Sequence, residues 1–471
     1  MDVSERYAAL TAAPSGSPAE LEGVLRRWDA LWADLRDQEV EVRSAVHLGR
    51  RDPAALTAWL ESVGAARERG EHALRDSVLA SPALPQLDPA YGPFVRQLDA
   101  ERRTRPAGVE ELEARIEAVG ARWWSSRRAW QPAADAYAAS RSEATWRAMG
   151  AAQQAVASEV SESWTELAEL RASLASASGL DSFVSWCWAM LARPYSVDEA
   201  DALCDRIAAQ VVPWLVAHDG EREPWELTSA RDTPDVLDAQ AVMLEVAALD
   251  PTWAQRVDVE CGPHVRGGAS HVWRPHLGRS LVFVRPTGTR ADRDSLVHEL
   301  GHALHASLAQ GPMRAASLAL EVSELASIGL ERLVDGSSAG VLRTMRTMAS
   351  AAAAHRFQRW AYAEPGASAA RRADRWAHEW RTMFPHHRSV HPEGWVTYPH
   401  LALYPFYCLE YAIAGLGALA LAAHPDRADA VARYLAVLRC PRGTSAVEAY
   451  AAGGLSLMPT RLDPLCASAL R

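Results

Sequence analysis

A mostly-α protein carrying one small β element is the fold class this sequence predicts, and three features of it do so. The first ~175 residues are helical in pattern almost throughout, with apolar residues recurring at three and four in "LEGVLRRWDALWADLRDQEVEVRSAV". Gly and Pro then crowd into 258–290, a region that also holds "SLVFV" (280–284), the best strand candidate in the chain. From Asp292 the helical pattern resumes and largely persists, broken by a loop around "FPHHRSVHPEGW" (384–395).

Within the N-terminal stretch, "TAAPSGSP", "ASPALPQLDPAYGP" and "TRPAG" separate one helical run from the next. Nothing chemical stands out there, and residues 1–175 are expected to form a helical lobe. "SGLDSFVSWCWAML" and "SVDEADALCDRIAAQVVPWLVAH" continue the pattern, with Ser196 as the N-cap of a helix and Glu199 three residues on. The remainder, 176–471, is expected to be a second region, with motif helices at about 292–334 and a C-terminal helical part at about 340–471. Its longest apolar run, "YAIAGLGALALAA" (411–423), is too short to span a bilayer and predicts a buried helix.

Composition narrows the function. The chain has 471 residues, and its acidic side chains outnumber the basic ones by 59 to 49, with no basic cluster beyond short pairs. Nucleic acid is therefore not an expected partner, and neither is a membrane. Six cysteines are scattered with no CxxC pair, a pattern of reduced thiols, and the N-terminal stretch has no apolar core of a secretory signal. A cytoplasmic location is the expectation. The sequence contains no Lys and no Asn, while Ala, Arg and Trp abound. This is the coding bias of a GC-rich genome, so its Arg content carries no functional message, and Schiff-base chemistry on Lys is excluded.

Chemistry enters at "SLVHELGHALHASLAQG" (295–311). On a helix, positions i and i+4 lie one above the other, so His298 and His302 can both turn a ring nitrogen toward one zinc ion. Glu299, next to the first ligand, can reach a metal-bound water as general base. His305 has the right azimuth but lies about 10 Å along the axis from His298, too far for both to bind one tetrahedral ion. A packing or supporting role is expected for it. The remaining ligand must then come from a second helix, "LALEVSELASIGLERL", which offers Glu321, Glu324 and Glu331. Glu321 and Glu324 are one turn apart and spacing does not separate them; Glu331, two turns beyond Glu324, can take the spare N–H of a ligand His.

At these residues the sequence resembles the thimet oligopeptidase and oligoendopeptidase F metallopeptidases. "TGTRADRDSLVHELGHALHA" is similar to their metal-binding segment, and "ELASIGLE" to their second-helix motif, which would place the third zinc ligand on Glu324. "VRGGASH" (265–271) resembles their Gly-Gly segment, which makes Gly267, Gly268 and Ala269 the expected substrate-binding stretch, followed by the strand "SLVFV". "GTSAVEAYAAGGLSL" (443–457) resembles their closing segment, and the likeness runs over roughly 178–460. "WVTYPHLALYPFYCLEYAIAG" (395–415) is similar to the segment that carries their transition-state His. That would give His400 this role, with Tyr404, Tyr407 and Tyr411 on one face of the following helix. The sequence departs from the pattern by one extra residue before "YPFY" and by Leu409 where a Tyr is frequent. The cluster His386, His387 and His391 reads as a polar loop.

The resemblance implies two helical lobes around a deep substrate channel, with a small β-sheet next to the zinc-binding helix. It also implies one zinc ion and hydrolysis of short peptides through a zinc-activated water, with strand 280–284 offering a sheet edge to the substrate backbone. A dedicated hydrolase for one peptide or amide of a biosynthetic pathway is the alternative. A third reading, a helical binding protein with an inactive site, has the intact motif against it.

Overall fold

The computed structural model describes residues 2–13, 15–52, 54–106, 108–226, 233–266, 268–314 and 319–470. It is mostly α-helical with a three-stranded sheet, as the sequence predicts. The chain forms two compact units, Met1–Arg102 with Ala230–Asp335 and Asp426–Leu455, and Arg103–Ser229 with Gly336–Pro425 and Ser456–Arg471. Each is assembled from three separate stretches, whereas the sequence suggests a single division near residue 175.

In the first unit, N-terminal helices Val3–Thr11, Pro18–His47 and Ala54–Leu79 bury Trp28, Leu21, Leu25 and Leu74 together with Phe94 from the next helix. Ser17 and Glu20 close a capping box, with Pro18 preset for the first helical turn. The same helices hold the loop after the motif helix. Both carboxylate oxygens of Asp29 accept backbone N–H groups, from Met313 at 3.1 Å and Arg314 at 2.9 Å. The Arg314 guanidinium reaches Glu71 at 2.6 Å and Glu101 at 2.8 Å and lies over the Trp28 ring.

The sheet has the order β1 (Val257–Cys261), β3 (Arg279–Val284), β2 (Ser270–Arg274), with β3 parallel to β1 and antiparallel to β2. The expected strand 280–284 is thus present but central, and the expectation that it offers a free edge does not hold. Its run Val282–Phe283–Val284 is fully buried, as in strands covered on both faces. The outer strand on the other side of that pairing is β2.

A short turn leads from β3 into the motif helix, Ala291–Leu308. The Asp292 carboxylate closes it, accepting the backbone N–H groups of Thr287, Gly288 and Thr289 and the Thr287 hydroxyl. The partner helix, Leu320–Val334, packs along the motif helix, and helices Arg427–Leu438 and Ala446–Ala452 cover it.

The second unit is built on the long helices Glu143–Ala177 and Ser338–Ala363. The apolar run predicted to be a buried helix is Cys408–Ala422, where Leu409, Ala412, Ile413 and Ala414 are fully buried. It crosses Ser338–Ala363 at Gly415, where a Cβ would come within 2.5 Å of the Met348 side chain. Among the described residues no helix is long and apolar enough to cross a membrane.

Burial raises the Asp292 carboxyl, but its hydrogen bonds from Thr287, Gly288 and Thr289 more than offset this and hold it below the usual carboxylate range. A depressed native pKa contributes stability that is present above about pH 4 and lost as the pH falls through the native value. Asp292→Asn should therefore cost about 1–3 kcal/mol at neutral pH. Urea unfolding of both proteins should show the gap narrowing below about pH 4.

Candidate metal centre

His298 and His302 occupy successive turns of the motif helix, their rings 5.1 Å apart and nearly perpendicular. Glu324, on the partner helix and only 2 % exposed, faces both. Its Oε2 is 3.7 Å from His298 Nε2 and its Oε1 4.0 Å from His302 Nε2. These three side chains offer one ligand atom each, all within 4.8 Å of one another. No other such group of His, Cys, Asp or Glu occurs among the described residues. Glu321 is equally buried but is not part of this group, which contains Glu324. His305 is half-buried and also stands outside the group.

The helices can approach this closely because of Gly301. A Cβ there would lie 2.8 Å from the Ala326 carbonyl carbon and 2.5 Å from Ser327 Cα, closer than side-chain atoms pack. The Ala326 carbonyl also accepts the Tyr434 hydroxyl at 2.6 Å, and the Glu321 carbonyl the Tyr450 hydroxyl at 3.3 Å. Two covering helices thereby fix the partner helix against the motif helix.

Both imidazoles are oriented from behind. His298 Nδ1 is 2.8 Å from Glu331 Oε1, and His302 Nδ1 is 3.2 Å from Ser323 Oγ. With each Nδ1 engaged, Nε2 is the ring nitrogen that faces Glu324. Two imidazole nitrogens and a carboxylate are a donor set that suits zinc and leaves a fourth position for water or substrate. Burial alone would lower the His298 pKa, but Glu331, then Glu324 and Glu299, outweigh it and raise it to about 9. Burial and the imidazoles of His298, His271 and His305 push His302 well below its ordinary value.

Glu299 stands beside His298 with its pKa raised to about 6, by burial and by the Glu324 charge. The His298 charge and a backbone hydrogen bond from His271 act the other way. His271 comes from β2, where its Nε2 lies 2.9 Å from Ser280 Oγ, and its ring stacks 6.1 Å from that of His302. Of the expected substrate-binding segment, Gly268 is exposed and Ala269 half-buried just before β2, while Gly267 lies outside the described residues.

The second unit holds His400 and its tyrosines. The ring of His400 is 6.0 Å from Tyr404, stacked 5.6 Å from Tyr407 and edge-on 5.7 Å from Tyr411. The sequence spacing suggests that the three tyrosines share one helical face, and they do not. The helix begins at Cys408, leaving only Tyr411 within it. Tyr404 and Tyr407 lie in the turn before it, 58 % exposed in the case of Tyr404. Pro405 breaks the helix at that point, and Phe406 adopts φ 63°, a strained conformation for a bulky residue. The strain is held in place by the Phe406 N–H donating to Gln358 Oε1 at 3.0 Å and by its carbonyl accepting Arg193 at 2.9 Å. Arg193 is in turn paired with buried Glu410. Leu409 is fully buried and presents no hydroxyl to this cluster. His386, His387 and His391 are not simply a polar loop: His386 faces Asp219 at 3.4 Å, His387 stacks on Phe384 and His391 on Trp146.

Sequence reasoning missed His271, Ser323, Gln358 and Arg193. His271 sits within the marked stretch "VRGGASH", and Ser323 within "LALEVSELASIGLERL". The others act through side chains brought together over long separations.

No family model matches the sequence. No curated protein matches it either. Solved structures do match. One named as a candidate oligoendopeptidase F superposes with a TM-score of 0.83 at 17% identity, over 99% of this chain and 94% of that one. The chain has the oligoendopeptidase F fold. PZ peptidase A, crystallised with an inhibitor, gives 0.82 at 16% over 100% and 95%. An M32 carboxypeptidase from Deinococcus radiodurans gives 0.63 at 14% over 99% and 96%. At these identities the likeness is one of fold.

Gly301→Ala should cost about 1–3 kcal/mol in thermal or urea unfolding, because the added methyl collides with backbone that cannot yield freely. Pushing the helices apart also draws Glu324 from the two histidines, so zinc affinity measured by chelator competition should fall by at least about tenfold.

Proposed function

We propose that this chain is a zinc-dependent metallo-endopeptidase acting on short peptides. The observation that carries this reading is the His298–His302–Glu324 group with Glu299 one residue from the first ligand and on the same helix. The fold supports it, since the similar structures are named as peptidases.

Zinc bound by His298, His302 and Glu324 would polarise the scissile carbonyl and acidify a water. Glu299 is suited to take that water's proton: with a pKa near 6 it is ionised at neutral pH, yet basic enough to accept a proton and later give it to the leaving amine. Glu331 and Ser323 hold the two imidazoles in the orientation that binding requires. By the sequence resemblance, His400 with Tyr404, Tyr407 and Tyr411 would be the group that offers N–H and O–H donors to an oxyanion, and their rings do cluster within the second unit. Tyr411 and His400 are already within 3.5 Å of each other. The turn strained at Phe406 preorganises Tyr407 for this role.

One observation favours a narrower substrate range as a second reading. Leu409 is sealed in the core where a tyrosine would add a donor, so this cluster differs from the pattern the sequence resembles. A dedicated hydrolase for one peptide or amide would tolerate that change.

Glu299→Gln should retain zinc and lose cleavage of a peptide mixture by orders of magnitude, with mass spectrometry reading the products. Undiminished cleavage by the variant would remove Glu299 from the mechanism. Internal cuts in many sequences indicate a general oligopeptidase, trimming from the C-terminus a carboxypeptidase, and cleavage of very few sequences the dedicated hydrolase.

A further inference from the structure

A hollow of about 180 Å³, open on one side, lies beside His302 of the motif helix. Its walls are Trp273 from β2, Leu320 and Val322 from the partner helix, Val437 from the covering helix and Met313 from the loop beyond the motif helix. Alanines of the motif helix and its end leave the space between them open. Among the described residues no carboxylate lines it, and its only guanidinium, Arg442, donates to the Ala306 carbonyl at 2.9 Å and the Gly311 carbonyl at 3.0 Å. The cation thus caps the end of the motif helix.

We infer that this hollow is a specificity pocket that takes one large, uncharged apolar side chain of the peptide substrate, with Met313 as the wall that sets its size. The inference rests on the peptidase reading. Three observations support it. The hollow is bounded by the ring of His302, a member of the His298–His302–Glu324 group, so it adjoins the proposed metal site. Its aliphatic and indole walls reward apolar burial, while His271, His305, Ser323 and Thr444 give it a polar side. It is also preformed. Met313 and Arg314 are pinned by Asp29, Glu71 and Glu101, which come from three different N-terminal helices. The N-terminal helices, which carry no chemistry of their own in sequence, thereby hold one wall of a substrate pocket.

Cys440 lines the same hollow, half-buried, and offers a readout independent of catalysis. The other half-buried thiol is Cys261, and the remaining four cysteines are buried. In a Cys261→Ser protein, alkylation of Cys440 by iodoacetamide is followed by mass spectrometry with increasing N-acetyl-phenylalanine amide, N-acetyl-alanine amide or N-acetyl-aspartate amide. The phenylalanine amide should slow labelling several-fold, and the other two should leave it unchanged. Equal rates with all three would overturn the pocket.

A peptide library cleaved by wild type and by Cys440→Phe supplies the second arm. Wild type should prefer Phe, Leu or Met over Ala at one position beside the cut by about 10- to 100-fold. Filling the hollow should abolish that preference while peptides with Ala there are still cleaved. Zinc-dependent cleavage with no apolar preference next to the cut overturns the pocket and leaves the peptidase reading standing. Protection of Cys440 in a protein that cleaves nothing overturns the peptidase reading, and with it the assignment of the pocket to a peptide.

Discussion

Two helices can share a buried metal site only if their backbones come close enough for short side chains to meet, and here that distance is set by Gly301. Its missing Cβ lets the motif helix rest on the Ala326 carbonyl and Ser327 Cα of the partner helix. Glu324 lies two residues before that contact, and Glu331 five residues after it. One contact therefore registers both the carboxylate that faces the histidine pair and the carboxylate that orients His298. The Tyr434 hydroxyl binds the same Ala326 carbonyl, so a third helix prevents the partner helix from sliding. The price of this arrangement is a cluster of three carboxylates in a poorly solvated place, which a divalent cation would relieve.

The His400 cluster is stabilised differently. Tyr407 follows a strained turn, with Phe406 held at positive φ by a buried amide and a buried guanidinium. Arg193 must lose hydration to do this, and its pairing with Glu410 offsets that loss.

What could be read in advance follows from the range of the interactions. Periodicity marks the motif helix, the partner helix and the buried helix Cys408–Ala422, because each is long and patterned. β1 and β2 escape notice because each is only five residues long and mostly half-buried. The central position of β3 was legible in principle, since a continuous Val-Phe-Val run suits a strand covered on both faces. The tyrosine face was misjudged although Pro405 sits between Tyr404 and Tyr407, and a Pro there ends the helical register. The choice between Glu321 and Glu324 is different in kind. One turn separates them, and only the Gly301 contact, 25 residues from Ala326 in sequence, decides which faces the histidines.

That choice is where the account is most exposed. Zinc affinity of Glu324→Gln and Glu321→Gln, each measured by chelator competition against wild type, tests it directly. Glu324→Gln should lose affinity by orders of magnitude, and Glu321→Gln should stay within a few-fold of wild type. The reverse order, or equal losses, would contradict the metal site described for these two helices.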